Sequence, residues 1–256
     1  MADWAVILGS SSGFGAAAAR AYAKAGYGIF GAHLDRRAAL PQIDELVEEL
    51  RGYGVPVHFH NANAAGDNER AEAIQWMKDN GGPRSVRVLM HSLAFGTLRP
   101  YIGEGSLSRK QMEMTLDVMA HSLVYWAKDL VDNDLFGDNG RIYAMTSSGS
   151  VAMWPAYGAV SAAKCALESH IRQLAVELAP KGITANAIMA GVTPTPALDK
   201  IPGAAEIQER AIARNPAGRL TTPEDIAECM VALSAPGTHW LTGNVLQVDG
   251  GEVIAG

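Results

Sequence analysis

Tyr157 and Lys164 stand seven residues apart in a stretch of helical character, and Ser147 lies ten residues before the tyrosine. Seven residues make about two turns at ~3.6 per turn, so a helix carries the phenol and the ammonium on one face. An isolated phenol titrates near ~10, too high for an efficient acid or base at neutral pH. A neighbouring ammonium favours the phenolate and brings the group toward working range. The pair therefore suits a reaction in which negative charge builds on a substrate oxygen. Ser147 falls just past a strand-like run, where a hydroxyl either orients a substrate or only bonds to backbone. Tyr/Lys pairs arise by chance on many helices, so this one needs a second signal.

That signal lies near the N-terminus. Gly9-Ser10-Ser11-Ser12-Gly13-Phe14-Gly15 separates an apolar run, Trp4 to Leu8, from a helix-like segment, Ala16 to Ala25. Glycines permit a tight turn and close backbone approach, and a helix N-terminus offers free N–H groups and a positive dipole end to a pyrophosphate. Gly9, Ser11, Ser12, Gly13, Phe14 and Gly15 are thus candidate dinucleotide contacts, although the spacing G-x3-G-x-G differs from the commoner G-x-G-x2-G. A ribose-binding acid is expected where the second strand ends, near His33. Asp35 comes slightly later, followed by Arg36 and Arg37. An acid holds a 2′-hydroxyl and arginines clamp a 2′-phosphate. The two arginines tilt the expectation toward NADPH and leave NADH open.

The elements that must position these residues alternate along the chain. Strands are expected at 4–8, 27–32, 55–59, 86–90, 141–145, 184–189 and 245–248. Helices are expected at 16–25, 41–51, 68–80, 108–133, 157–178 and 222–233. Such alternation predicts an α/β fold: a Rossmann-like, doubly wound parallel sheet with helices on both faces, three layers in all. No internal repeat, linker or composition shift interrupts it, so residues 1–256 are expected to form one nucleotide-binding domain.

Composition excludes several functions. The chain has 256 residues, 48% of them hydrophobic and 19% charged, with a net charge of -6 and no basic block for nucleic acid or a membrane surface. Its two cysteines form neither a zinc-like cluster nor a disulfide framework. No signal-peptide pattern or bilayer-length apolar run is present, so a cytoplasmic protein is expected. His58 and His60 alternate on one strand face, but no third ligand lies at motif spacing and no metal is expected.

With these residues in place, the chain resembles the short-chain dehydrogenase/reductase family over nearly its whole length. The glycine turn matches that family's cofactor loop, and Val248-Asp249-Gly250-Gly251 matches its C-terminal signature. Ordinary members place a tyrosine four residues before the lysine. Here that position is Val160, and the tyrosine stands one turn earlier. Tyr-x6-Lys resembles the enoyl-acyl-carrier-protein reductase branch, as does His91-Ser92-Leu93-Ala94-Phe95. Met119 occupies the place of the family's active-site Asn, while Ser147 stands where many enoyl reductases carry a second tyrosine.

The resemblance implies further contacts. Asn63 and Ala64 would lie near the adenine, and Ser92, Gly191, Thr193 and Thr195 along the cofactor. Lys164 would hold the nicotinamide ribose. Residues 196–210 would cover the substrate, with Phe95, Trp154, Leu198 and Ile201 beside Tyr157 lining an acyl pocket. It also implies a homotetramer built through the long helices and the C-terminal strand, and a substrate carried on acyl carrier protein or coenzyme A. Three readings stand at this point: an enoyl-thioester reductase, a ketone reductase or alcohol dehydrogenase, and a dinucleotide-binding sensor without turnover.

Overall fold

Every residue of the first two strands is buried, as strands covered on both faces by helices require. The computed structural model describes residues 3–255. Its strands are β1 (Trp4–Leu8), β2 (Gly28–His33), β3 (Val57–Asn61), β4 (Val86–His91), β5 (Phe136–Thr146), β6 (Thr184–Ala190) and β7 (Val245–Val248). They form one parallel sheet in the order β3-β2-β1-β4-β5-β6-β7. The helices are α1 (Gly13–Lys24), α2 (Leu40–Arg51), α3 (Asp67–Asn80), α4 (Arg109–Leu116), α5 (Ser122–Asp132), α6 (Gly158–Leu178), α7 (Ala204–Arg214) and α8 (Pro223–Leu233).

Side chains alternate across the sheet and build two cores. Ile7, Ile29, Val88 and Tyr143 pack under α1, α2 and α8, whereas Leu8, Phe30, Leu89 and Ile142 pack under α3, α5 and α6. The expected three-layer, doubly wound architecture is what the structure shows. Strand order reverses at β1, whose neighbours are β2 and β4. A doubly wound sheet opens its binding crevice at the strand ends beside such a reversal.

Three local departures bear on the site. The helix expected over 108–133 is broken by a π-helical turn at Asp117–His121, so α4 and α5 are separate. β5 starts five residues before the expected strand, and its pairing with β4 slips between Val86↔Phe136 and Val88↔Arg141. The expected cover, residues 196–210, runs into α7, which starts at Ala204 and continues to Arg214. His58 and His60 serve packing: His58 stacks on Trp76 with centroids 4.1 Å apart, and both histidines lie against Phe30. Among the described residues no cluster of metal-ligating side chains forms, and no helix is long and apolar enough to cross a membrane.

Candidate active site

A cleft of about 760 Å³ runs along the C-terminal ends of the strands. The turn after β1 floors its middle. Gly9 has φ +89°, and a Cβ there would stand 2.5 Å from the Ser92 carbonyl oxygen, so only glycine lets the turn pass this close to the end of β4. Gly15 does not line the cleft. A side chain on it would strike the Gly9 carbonyl, so this glycine seats α1 on the turn. Ser12 precedes α1 without capping it through its side chain, which leaves N–H groups at that end facing the cleft beside Gly13 and Phe14. Thr195 closes over the turn from the far side, its methyl 3.3 Å from where a Gly13 Cβ would be.

Toward β2 and β3 the wall is His33, Leu34, Asp35, Asn63 and Ala64. Asp35 is held from two sides. Its carboxylate meets Nδ1 of buried His33 at 3.1 Å, and its backbone exchanges two hydrogen bonds with the Asn61 side chain, each 3.1 Å. Burial lowers the His33 pKa, with the Asp35 hydrogen bond opposing, so at neutral pH the ring adds no positive charge beside the Asp35 carboxylate. Asn63 Oδ1 accepts the Ala65 N–H at 3.1 Å, and buried Trp126 donates to the Ala64 carbonyl at 2.7 Å, which fixes the loop after β3. Arg36 and Arg37, expected as cofactor contacts, are exposed and do not reach the cleft wall. The chain turns outward after Asp35 and carries them into solvent.

Toward β5 and β6 the wall is Ser147, Tyr157, Lys164, Gly191 and Thr193. Tyr157 immediately precedes α6 and Lys164 lies two turns in, so both side chains reach one cleft as their spacing demands. The residue before the tyrosine, Ala156, has φ +64°. An L-residue there costs about 1–2 kcal/mol, so the surroundings impose this backbone and with it the direction of Tyr157. Gly149 backs the ring: a Cβ on it would stand 2.5 Å from Cε1 of Tyr157. We expect Gly149→Ala to push the ring aside and lower kcat about 10–10²-fold, with the cofactor dissociation constant unchanged. Steady-state kinetics beside a binding titration would show it.

Electrostatics here departs from the sequence expectation. Burial raises the Tyr157 phenol above its ordinary value, and the neighbouring Ser147 hydroxyl draws it only partly back. The cleft that Lys164 also lines therefore presents a neutral phenol, which can donate a hydrogen bond, and not a phenolate. Lys164 itself is buried, donates to the Met145 carbonyl at 2.7 Å, and is lowered by burial to about 8, with Glu168 opposing. Ser147 accepts the Gly149 N–H at 3.1 Å and lines the cleft. Behind this group His91 Nε2 lies 2.9 Å from Ser122 Oγ, and burial together with Lys164 lowers the ring to about 3, so it stays neutral.

Val160 and Met119 fill the space where ordinary family members carry polar groups. Both are buried and converge on Gly96, whose Cβ would stand 2.6 Å from Val160 Cγ2 and 2.7 Å from Met119 Sδ. The π-helical turn is what brings Met119 to this wall. Beyond it an apolar chamber opens between Phe95, Leu98, Met153, Leu198, Ile201 and Ile207. Trp154 ties the segment before Tyr157 to the cover, its Nε1 donating to the Pro202 carbonyl at 2.9 Å. Sequence reading missed His33, Gly96, Gly149 and Glu252. Only the two glycines carried a hint, by lying in segments that flank the chemistry.

A parallel sheet with a glycine turn at its reversal, and a half-buried tyrosine and a buried lysine in the same cleft, defines a nucleotide-dependent oxidoreductase. Residues 9–252 match the family model described as Enoyl-(Acyl carrier protein) reductase. The chain belongs to that family, an enoyl-reductase-like branch of the short-chain dehydrogenases/reductases. It is 29% identical over 228 residues to the NADH-dependent enoyl-[acyl-carrier-protein] reductase of Aquifex aeolicus, covering 88% of this chain and 83% of that one. A crystal structure of enoyl-[acyl-carrier-protein] reductase (NADH) from Aquifex aeolicus superposes with a TM-score of 0.84 at 26% identity, over 99% of this chain and 97% of that chain. The chain is also 30% identical over 253 residues to a 1-cyclohexenylcarbonyl-CoA reductase of Streptomyces collinus, covering 97% and 86%. A 3-oxoacyl-[acyl-carrier-protein] reductase and a hydroxycyclohexanecarboxylate dehydrogenase match at similar levels, so the relatives span more than one reaction.

Proposed function

We propose that the protein is an NADH-dependent reductase of the carbon–carbon double bond of a 2-enoyl thioester, carried on coenzyme A or acyl carrier protein. One observation carries this reading: the phenol stands at Tyr157, and the position a ketone reductase would use is Val160, packed against Met119 and Gly96. In ketone reduction the carbon that takes hydride bears the oxygen to be protonated. In a conjugated thioester the charge appears on an oxygen two carbons farther on. A shift of three residues moves the attachment point of the phenol by ~4.5 Å along the helix, the order of reach the longer acceptor needs.

The glycine turn and the uncapped start of α1 suit a pyrophosphate, and buried Lys164 suits ribose hydroxyls, so these residues fit a nicotinamide dinucleotide. When bound, its reduced ring supplies hydride to the β-carbon. The Tyr157 hydroxyl donates a hydrogen bond to the thioester oxygen as that oxygen gains charge, stabilising it. Lys164 adds a positive field. The α-carbon takes its proton from Tyr157 or from water. Ser147 steadies the thioester from the strand side, and the apolar chamber takes the acyl group.

NADH is preferred because Asp35 lines the cleft and Arg36 and Arg37 do not. A 2′-phosphate would meet a carboxylate without a guanidinium to offset it. A rate panel offering crotonyl-, cyclohexenylcarbonyl- and acetoacetyl-CoA, each with NADH and with NADPH, tests both parts. We expect an unsaturated thioester to exceed acetoacetyl-CoA by about 10²-fold in kcat/KM, with NADH the better donor. Faster turnover of acetoacetyl-CoA would establish ketone reduction in its place, and cofactor binding without turnover on any arm would indicate a sensor.

A further inference from the structure

β6 leads into a turn, Gly191 to Thr193, that packs against the turn following β7. Asp249 organises the second turn. Its two carboxylate oxygens accept the N–H groups of Gly251 and Val253, each at 2.9 Å, and its carbonyl accepts Asn215 Nδ2 at 2.9 Å. That carboxylate is used up within the fold and does not line the cleft. Glu252 differs. It is 8% exposed, its Oε2 accepts the Val192 N–H at 2.9 Å, and it does line the cleft. Gly191 makes the room, since a Cβ there would stand 2.8 Å from Oε2. Among the described residues no other group donates a hydrogen bond to this carboxylate. Burial raises its pKa, and the Val192 hydrogen bond opposes the rise.

The fold says which part of a dinucleotide this carboxylate meets. The pyrophosphate belongs at the start of α1, in the middle of the crevice. Asp35 and Asn63 mark the adenosine side, over β2 and β3. The redox ring then lies on the opposite side, with Lys164, Tyr157 and Gly191. That ring carries a carboxamide whose nitrogen has two N–H donors. An ionised carboxylate only accepts, so the oxygen of Glu252 that takes no protein donor is suited to meet an N–H and not another acceptor.

We propose that Glu252 is a cofactor-specificity residue: its free carboxylate oxygen accepts an N–H of the nicotinamide carboxamide and so selects an amide over an acid at that ring position. The inference rests on the dinucleotide reading of the cleft and is independent of which substrate is reduced.

The test is a calorimetric titration of the protein with NAD+ and with its nicotinic-acid analogue, in which a carboxylate replaces the carboxamide. For the wild type the analogue should bind about 10²-fold more weakly, because two acceptors of like charge then face one another. Glu252→Gln keeps the size and offers an N–H2 of its own. It should leave NAD+ binding within about threefold and shrink the analogue's deficit to about tenfold or less. If Glu252 only anchors the C-terminal turn, Glu252→Gln and Glu252→Ala weaken both ligands alike. An unchanged ratio of the two dissociation constants would therefore overturn the proposal. Binding of neither nucleotide to the wild type would instead refute the dinucleotide reading, and this inference with it.

Discussion

Tyr157→Phe is expected to lower kcat on an enoyl thioester about 10²–10³-fold while leaving NADH affinity within about twofold. The substitution removes one hydroxyl and keeps the ring, which Gly149 backs closely, so the cleft wall stays in place. The loss should fall on kcat more than on KM, because the hydrogen bond tightens only as charge develops on the thioester oxygen. Burial already holds the phenol above its ordinary value. The wild-type rate should therefore show no titration from this tyrosine in the neutral range. A variant retaining more than about a third of wild-type kcat with saturating cofactor would remove Tyr157 from the mechanism and leave Ser147 or water as the donor. Restoring a phenol at the ordinary family position by Val160→Tyr would not rescue it, since that side chain lies in contact distance of Met119 and Gly96.

The parts of this site that sequence revealed are those governed by short-range periodicity. β1 reads as a strand because all five of its residues are apolar and bounded by a glycine turn. Tyr157 and Lys164 share a cleft because a helix repeats every ~3.6 residues, whatever surrounds it. What stayed hidden depends on backbone torsions or on distant partners. The π-helical turn at Asp117–His121 keeps the apolar spacing of a helix, so the pattern over 108–133 gives no sign of a break. Yet that turn decides where Met119 points. The early start of β5 is set by pairing with β4 across a register slip, a contact between segments some fifty residues apart. Arg36 and Arg37 have the chemistry for a phosphate, but that they are exposed and do not line the cleft is a property of the fold which no local residue pattern encodes. Glu252 is the converse: it directly follows the Val248-Asp249-Gly250-Gly251 signature, but only the hydrogen bonds of Asp249 to the residues on either side turn it inward.

Electrostatics corrected the sequence reading in the same way. Spacing places Lys164 near Tyr157 but does not say how much water reaches either. In the fold, burial is the largest influence on each group, and both shift toward their neutral forms. Under the proposed function the pair would act as a hydrogen-bond donor beside a buried cation, an arrangement that answers charge appearing on a substrate and does not generate charge of its own. This matches a reaction begun by hydride arriving at carbon, in which the oxygen becomes basic only afterwards.

Lys164→Met should separate function from stability. Lys164 is buried and is held at about 8 in the fold, below the ~10.4 of an unfolded chain. Between those values the unfolded state binds more protons, so this group's contribution to stability improves as pH rises from about 8. Below pH 8 the buried charge costs on the order of 3 kcal/mol. Met has a similar length and no charge, so the cofactor-free variant should be more stable than wild type at pH 7. The advantage should shrink at pH 9.5. Catalysis should fall about 10³-fold and NADH binding should weaken, because nothing would replace the ammonium proposed to hold the ribose and to stabilise the reacting oxygen. Urea unfolding at the two pH values, beside a cofactor titration, checks each part. A variant less stable than wild type at pH 7 would mean that the Met145 hydrogen bond outweighs desolvation, and that this lysine is held in place for the fold as much as for the chemistry.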